Sequence, residues 1–164
     1  MKETRDQDGE TVTLKKFLEL KPQLGEGILN KLEGVVQKLL DKGLARLSIV
    51  QAILSDYIHC QDAENKEHAE KIKLIADAIK EKMPSLLASK SGLSVACGLF
   101  TIMDARDRKT VVKSLPVEEM LTNKVAHLFL IHVFTTLDDT QLSKKKILHE
   151  ALKVVDDQIN DKCY

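Results

Sequence analysis

Residues 104–113, DARDRKTVVK, hold four basic and two acidic side chains around a pair of valines. Two valines among these cations predict a short amphipathic helix with a basic face, and Asp104 is a suitable N-cap for it. Arginine and lysine arranged in this way can neutralise nucleic-acid phosphates and release their counterions. Cations on an amphipathic helix also serve solubility alone, and Asp104 and Asp107 partly cancel this cluster. The candidate phosphate contacts are Arg106, Arg108, Lys109 and Lys113, with Lys144, Lys145 and Lys146 on the last helix and Lys90 and Lys124 in turns.

Histidine and cysteine are the other side chains with the chemistry for catalysis or metal binding. The five histidines form no HExxH motif, and His127 and His132 are five residues apart, which does not place two ligands on one helical face. His59 and Cys60 are adjacent, but nothing in the sequence supplies an orienting third group. His132, on an apolar helix, is expected to be a hydrogen-bonded core residue. The sequence therefore predicts neither an enzyme nor a metal or cofactor site.

Composition and charge narrow the class of protein. Lys plus Arg and Asp plus Glu both number 25, so the net charge is zero and any nucleic-acid site must come from local charge segregation. Only three prolines and seven glycines occur, and β-branched residues follow helical spacing, which predicts an all-α protein. Three cysteines without a CxxC pair fit a reducing compartment. With no signal peptide and no apolar run of the roughly 18 residues of a membrane span, a soluble intracellular protein without membrane contact is expected.

Apolar residues at helical spacing predict seven main helices. The run 93–103, which follows Ser91-Gly92, is apolar on nearly every side and is predicted to be the central buried helix. Leu99, Phe100 and Ile102 are therefore expected in the core. A short helix is expected before Pro22, one short turn at 117–121, and flexible ends at 1–11 and 160–164. The main helices are predicted at 28–42, 48–58, 66–82, 93–103, 105–115, 125–136 and 141–158.

The order of these helices repeats. Buried helices begin near Ser48, Leu93 and His127, and each is followed by a polar turn and an amphipathic helix. Units recurring at such a period are typical of an α-solenoid, in which each unit buries its apolar face against its neighbours; an irregular helical bundle is the alternative. The predicted repeat domain spans residues 12–159, with units around 28–60, 66–115 and 117–159.

Two runs carry a family resemblance. Residues 91–115, SGLSVACGLFTIMDARDRKTVVKSL, resemble the Puf-A group of pumilio-like repeat proteins, also called Penguin-like, and 122–142, TNKVAHLFLIHVFTTLDDTQL, resemble the next repeat of that group. The resemblance covers about residues 12–150 and is most specific at the DRK turn, Asp107–Lys109, and the LDDT turn, Leu137–Thr140. It implies an α-solenoid of pumilio-like helical repeats, nucleolar residence, and a part in maturing the large ribosomal subunit through RNA contact. Because family members are several times longer, the chain is expected to be an internal or C-terminal piece that includes part of the CPL region.

The resemblance also locates the positions at which pumilio repeats read bases. Each repeat reads one base through two or three side chains on its second helix. Isoleucine, leucine and alanine at such positions cannot donate or accept hydrogen bonds at base edges, so sequence-specific readout is not expected. The matching positions are Ser48, Ile49 and Ala52 in one unit, Leu93, Ser94 and Cys97 in the next, and His127, Leu128 and Ile131 in the third.

Two functions remain open from the sequence. The first is an RNA-binding repeat module of a nucleolar ribosome-assembly factor, contacting pre-rRNA or mRNA, and DNA as well, through phosphates and without base readout. The alternative is an α-solenoid scaffold that binds ribosome-assembly proteins in a pre-ribosomal particle with no direct RNA contact. A continuous basic surface would favour the first function, and scattered charge the second.

Overall fold

The computed structural model describes residues 13–61 and 65–161, with side-chain environments through residue 157, and these residues form helices and no strand. The expectations for residues 1–11 and 162–164 lie outside the described residues, whereas Asn160 and Asp161, predicted to begin a flexible tail, are helical. The α-helices are α1 (Leu14–Leu20), α2 (Gly25–Asp41), α3 (Ser48–His59), α4 (Lys66–Ile79), α5 (Lys90–Ile102), α6 (Ala105–Ser114), α7 (Val117–Thr122), α8 (Ala126–Thr136), α9 (Thr140–Leu142) and α10 (His149–Asp161). Within the described part of the chain, no helix has the length and apolar character needed to cross a membrane.

The predicted main helices are confirmed, with ends that differ by at most three residues. A six-residue helix, α7, replaces the turn expected at 117–121. Short 3-10 segments occupy Pro22–Leu24, Leu44–Arg46 and Lys80–Leu86, the last of which contains Pro84. The predicted last helix is continuous but contains a π-helical segment, Ser143–Leu148, between α9 and α10. We refer to α9, this segment and α10 together as the last helix.

The helices pack in two rows. In the first, which we call the α5 row, α5 lies between α3 and α8 and packs against both. In the second, the α6 row, α6 packs between the 3-10 segment Lys80–Leu86 and the π-helical segment of the last helix. The two rows enclose one apolar core, to which α2 to α8 and the π-helical segment contribute buried side chains. This side-by-side stacking is the architecture expected of an α-solenoid.

A buried glutamine joins α3 to α5. The side chain of Gln51 is fully buried, and its Nε2 donates to the carbonyl oxygens of Ala45 at 3.1 Å and Ser85 at 3.2 Å. Its Oε1 accepts a hydrogen bond from the hydroxyl of Ser89, which is also the N-cap of α5. Every polar atom of this buried amide therefore has a partner, which makes its burial favourable. These contacts fix the start of α5 against α3 and the preceding 3-10 segment.

Gly92 is required by this close approach. The sequence predicted that Ser91-Gly92 would precede the central helix, and this was wrong, because α5 begins at Lys90 and includes Gly92. The backbone of Gly92 is buried against the carbonyl oxygen of Leu86 and the side-chain amide of Gln51, so that a Cβ atom here would overlap both. The absence of a side chain, rather than a special backbone angle, is what the position needs.

The central helix is buried as predicted, with one exception. Leu99 and Phe100 are fully buried, and the Phe100 ring meets the Phe129 ring edge-on with centroids 5.5 Å apart. Ile102, predicted to be in the core, is 49% exposed. It lies four residues after Gly98 and therefore continues the exposed face of α5 rather than its buried face.

Replacing Gly92 tests this packing. We expect Gly92→Ala to lower the free energy of unfolding by about 1–3 kcal/mol, because the new methyl group would collide with the Leu86 carbonyl and displace Gln51. Gly98→Ala is the matched control, since Gly98 lies in the same helix with nothing within 4 Å of its would-be Cβ. There, alanine should raise stability by about 0.5–1 kcal/mol through helix propensity. Urea melts of both variants measure the difference, and equal effects would contradict the close approach.

Candidate nucleic-acid interface

The basic cluster forms helix α6, as predicted. Asp104 is its N-cap, and its carboxylate accepts a hydrogen bond from the backbone N–H of Asp107 at 2.8 Å. Val111 and Val112 are fully buried and anchor the helix to the core. Positions 106, 109 and 113 are three and four residues apart, so Arg106, Lys109 and Lys113 share one helical face, and all three are exposed. We call this surface the α6 cation face.

The acidic residues that cancel this cluster in the sequence have other partners in the structure. Asp107 accepts a hydrogen bond at 3.0 Å from Nζ of Lys80, which lies in the preceding 3-10 segment. Asp104 caps the helix, and the hydrogen bond from the Asp107 amide lowers the pKa of the Asp104 carboxyl group. The Asp104 carboxylate therefore stays ionised and attached to the backbone at neutral pH. Among the described residues, neither acid forms an ion pair with the α6 cation face.

Arg108 has a structural role in place of the predicted phosphate contact. Its guanidinium donates to three carbonyl oxygens: Nε to Phe100 at 3.1 Å, Nη2 to Thr101 at 2.6 Å and Nη1 to Thr136 at 3.1 Å. The first two carbonyls end α5, and the third ends α8. Carbonyls in the last turn of a helix have no intrahelical partner, and the partial negative charge there favours a cation. Arg108 thus fastens the ends of two neighbouring helices to α6.

Two of the predicted lysines form ion pairs. Lys109 lies 2.8 Å from Asp139, the N-cap of α9, and Lys146 lies 2.8 Å from Glu150 one turn further along the last helix. The hydrogen bond from Lys109 lowers the pKa of the Asp139 carboxyl group, and the backbone N–H of Leu142 lowers it further. Asp139 belongs to the LDDT turn, so this pair joins the two turns on which the family resemblance was most specific. The charge of Lys109 is partly neutralised, which leaves Arg106 and Lys113 as the stronger candidates on the α6 cation face.

The other predicted cations are exposed but do not all belong to one surface. Lys90 begins α5, and Lys124 lies in the turn before α8. Lys144 and Lys145 line an open hollow on the last helix together with Leu148 and Leu152, in a largely apolar setting. Among the described residues, none of these four lysines has an ion pair. The basic side chains are therefore distributed over several surfaces, and three of them share the α6 cation face.

The predicted base-reading positions lie on the α5 row. None of them is fully buried: Ser48, Ile49, Ser94, Leu128 and Ile131 are exposed, and the other four are partly buried. Their chemistry is mainly apolar: Ile49 is 65%, Leu128 45% and Ile131 57% exposed. Burial raises the pKa of the Cys97 thiol, which favours its neutral form. The positions are Ser48, Ile49 and Ala52 on α3, Leu93, Ser94 and Cys97 on α5, and His127, Leu128 and Ile131 on α8.

His132 is a hydrogen-bonded structural residue, as predicted. Its Nε2 lies 3.1 Å from the carbonyl oxygen of Cys97 and 3.1 Å from the hydroxyl oxygen of Thr101, both on α5. The imidazole also packs edge-on against Phe100, with centroids 6.1 Å apart. It therefore links α8 to α5. Among the described residues, no group of three or more His, Cys, Asp or Glu side chains is placed to hold a metal ion.

Known proteins resemble this chain in sequence and in fold. No family model matches it. Pumilio domain-containing protein 12 of Caenorhabditis elegans is 29% identical over 157 residues, which cover 92% of this chain and 20% of that protein. Human Pumilio homolog 3 is 29% identical over 92% of this chain and 23% of its own length. Protein penguin of Drosophila melanogaster is 26% identical over 78% of this chain and 18% of its own length.

Two solved structures of human Puf-A resemble this chain in fold. The crystal structure of human Puf-A aligns with a TM-score of 0.75 and 25% identity over 92% of this chain and 28% of that one. The structure of human Puf-A in complex with DNA aligns with a TM-score of 0.76 and 24% identity over 95% of this chain and 30% of that one. The chain is therefore similar in sequence and in fold to the Puf-A and Penguin-like group of pumilio-repeat proteins. It spans about a fifth of the length of its curated relatives.

The structural match to human Puf-A confirms the predicted all-α solenoid. The repeat fold is that of a binding scaffold, so the surfaces of this chain, rather than an enclosed pocket, are where its function is to be sought. The division into units at 28–60, 66–115 and 117–159 stays a prediction.

The role of Arg108 can be separated from that of a surface cation. We expect Arg108→Lys to lower the free energy of unfolding by about 2 kcal/mol. The ammonium group of lysine lacks the planar guanidinium that donates to three carbonyl oxygens at once. Arg106→Lys is the matched control, because Arg106 is exposed and lies two residues away on the same helix. It should change the free energy of unfolding by less than about 0.5 kcal/mol. Thermal or urea melts measure both. A loss below about 0.5 kcal/mol for Arg108→Lys would contradict the structural role.

Proposed function

We propose that this chain is a nucleic-acid-binding repeat module that contacts RNA through its phosphates, without reading bases, within a nucleolar factor of large-subunit ribosome assembly. The observation that carries the proposal is the α6 cation face. Arg106 and Lys113 are exposed there, seven residues apart on one face, and the neighbouring acids Asp104 and Asp107 have other partners. Such a face attracts phosphate oxygens through charge and releases counterions on binding.

The absence of base readout is supported by the α5 row. The side chains at Ile49, Leu128 and Ile131 have no hydrogen-bonding atoms, and each is substantially exposed. A base placed there would lose its hydrogen bonds to water without receiving replacements. Contact through phosphates carries no sequence information, so the proposal predicts similar affinity for unrelated strands.

The comparisons support the ligand class. The solved structure of human Puf-A in complex with DNA shows that this relative binds nucleic acid, and it aligns over 95% of this chain. A phosphate-directed surface would accept RNA and DNA alike, which is consistent with that complex. The nucleolar location, the pre-rRNA target and a binding role without catalysis are proposals drawn from the family resemblance.

A protein-binding scaffold is the second candidate function. Two observations favour it: the basic side chains are distributed over several surfaces, and the α5 row exposes apolar side chains at adjoining positions, which mark protein contacts. The two functions use different surfaces of the chain, so they can be tested separately.

Charge reversal on α6 tests the proposal. Fluorescence anisotropy would follow the full chain binding to three unrelated single-stranded RNAs of equal length and one single-stranded DNA. We expect similar affinities for all four, and a log–log dependence on salt with a slope of about −0.7 for each phosphate contacted. Arg106→Glu with Lys113→Glu should weaken binding to every strand by about tenfold or more and make the salt slope shallower by about 1.4.

The matched control is Lys31→Glu with Lys38→Glu. These lysines are also exposed and seven residues apart, but they lie on α2. The control carries the same change of net charge, so it corrects for long-range electrostatics. If the control weakens binding as much as the α6 variant, or if one RNA sequence is bound far more tightly than the others, the proposal is wrong.

A further inference from the structure

The last helix carries an apolar stripe that faces solvent. Leu148, Leu152 and Val155 are four and three residues apart, and their side chains are 45%, 54% and 50% exposed. Residues with this spacing lie on one face of a helix. On the adjoining α8, Ile131 and Phe134 are 57% and 48% exposed. Two neighbouring helices therefore present one apolar surface, of the kind that marks a protein contact.

The shape of this surface is a groove. An open hollow of about 350 Å³ lies between α8 and the last helix, with Ile131, Phe134 and Leu148 in its lining. A second hollow runs along the last helix and includes Leu148, Leu152 and Lys145. The two share Leu148, so they form one path along the helix. A groove of this form accepts the apolar face of another helix.

The charges beside the stripe identify the occupant. Lys145 lies three residues before Leu148, and Asp156 lies four residues after Leu152; both are exposed, and among the described residues neither has an ion pair. An antiparallel copy of the same helix that pairs Leu148 with Leu152 places Lys145 of one copy opposite Val155 and next to Asp156 of the other. Two-fold symmetry repeats this contact at the other end. The surface is therefore complementary to itself in both shape and charge.

We propose that a second copy of this chain occupies the groove, forming a two-fold symmetric dimer in which the last helices pack antiparallel between the two α8 helices. The apolar stripes supply the contact area, and the Lys145–Asp156 pairs set the register and direction. Neither Arg106 nor Lys113 takes part. The dimer therefore stands independently of the proposed nucleic-acid function, and each can fail without the other.

Sedimentation equilibrium of the full chain tests the dimer. We expect reversible association between about 5 and 500 µM, because the contact is small and its population depends on concentration. Leu152→Asp should raise the dimer dissociation constant by about 100-fold, since it places two charges in the apolar contact between the two last helices. Leu74→Asp is the matched control: Leu74 is 67% exposed but lies on α4, outside the groove. A chain that stays monomeric throughout this range, or a dimer unaffected by Leu152→Asp, would overturn the proposal.

Charge exchange tests the register separately from the apolar contact. Lys145→Glu alone should raise the dissociation constant by about tenfold, because two attractive contacts become repulsive. Adding Asp156→Lys to the same chain restores both contacts with reversed sign and should return the constant to within about threefold of wild type. Far-UV circular dichroism confirms that each variant is folded. If the double variant associates no better than Lys145→Glu, the antiparallel pairing is wrong.

Discussion

The placement of α5 is the constraint on which the rest of the structure depends. At its start, Ser89 and the bare backbone of Gly92 fit against the buried amide of Gln51. At its end, the carbonyls of Phe100 and Thr101 accept hydrogen bonds from Arg108. At both ends a side chain from another element, Gln51 or Arg108, holds the helix, so α5 cannot shift along its axis. With α5 fixed, α3 and α8 are stacked on either side of it.

This arrangement also shapes the candidate interface. Because Arg108 points inward to fasten α5 and α8, Arg106 and Lys113 are left on the opposite, solvent-facing part of α6. Asp107 reaches back to Lys80 and Asp104 caps the helix, so the acids of the cluster are used in holding α6 in its row. The same contacts that stack the helices thus separate positive from negative charge on α6. A chain with zero net charge acquires a basic surface by this local segregation.

The sequence predicted the helices and the family but not the contacts between helices. Apolar spacing located α2 to α6 and α8 because burial of one helical face follows a simple period. The exposure of Ile102 and the role of Arg108 depend on which helix lies alongside, and their partners are distant in the sequence: Arg108 meets Thr136 across 28 residues, and Gln51 meets Ser89 across 38. One clue was available for Gln51, a lone amide between Val50 and Leu54 on an apolar helix, since a buried amide needs partners. No comparable signal marked Arg108 among its neighbouring cations.

The central claim is that nucleic acid binds to the α6 cation face and not to the α5 row. Amide chemical-shift mapping by NMR tests it directly, since a chain of 164 residues is within reach of the method. A single-stranded RNA of mixed sequence would be titrated into labelled protein at low salt. We expect the largest changes in amide chemical shift within residues 105–114 and only small changes at the exposed positions of α3, α5 and α8. Shifts concentrated at Ile49, Ser94, Leu128 and Ile131 would contradict it.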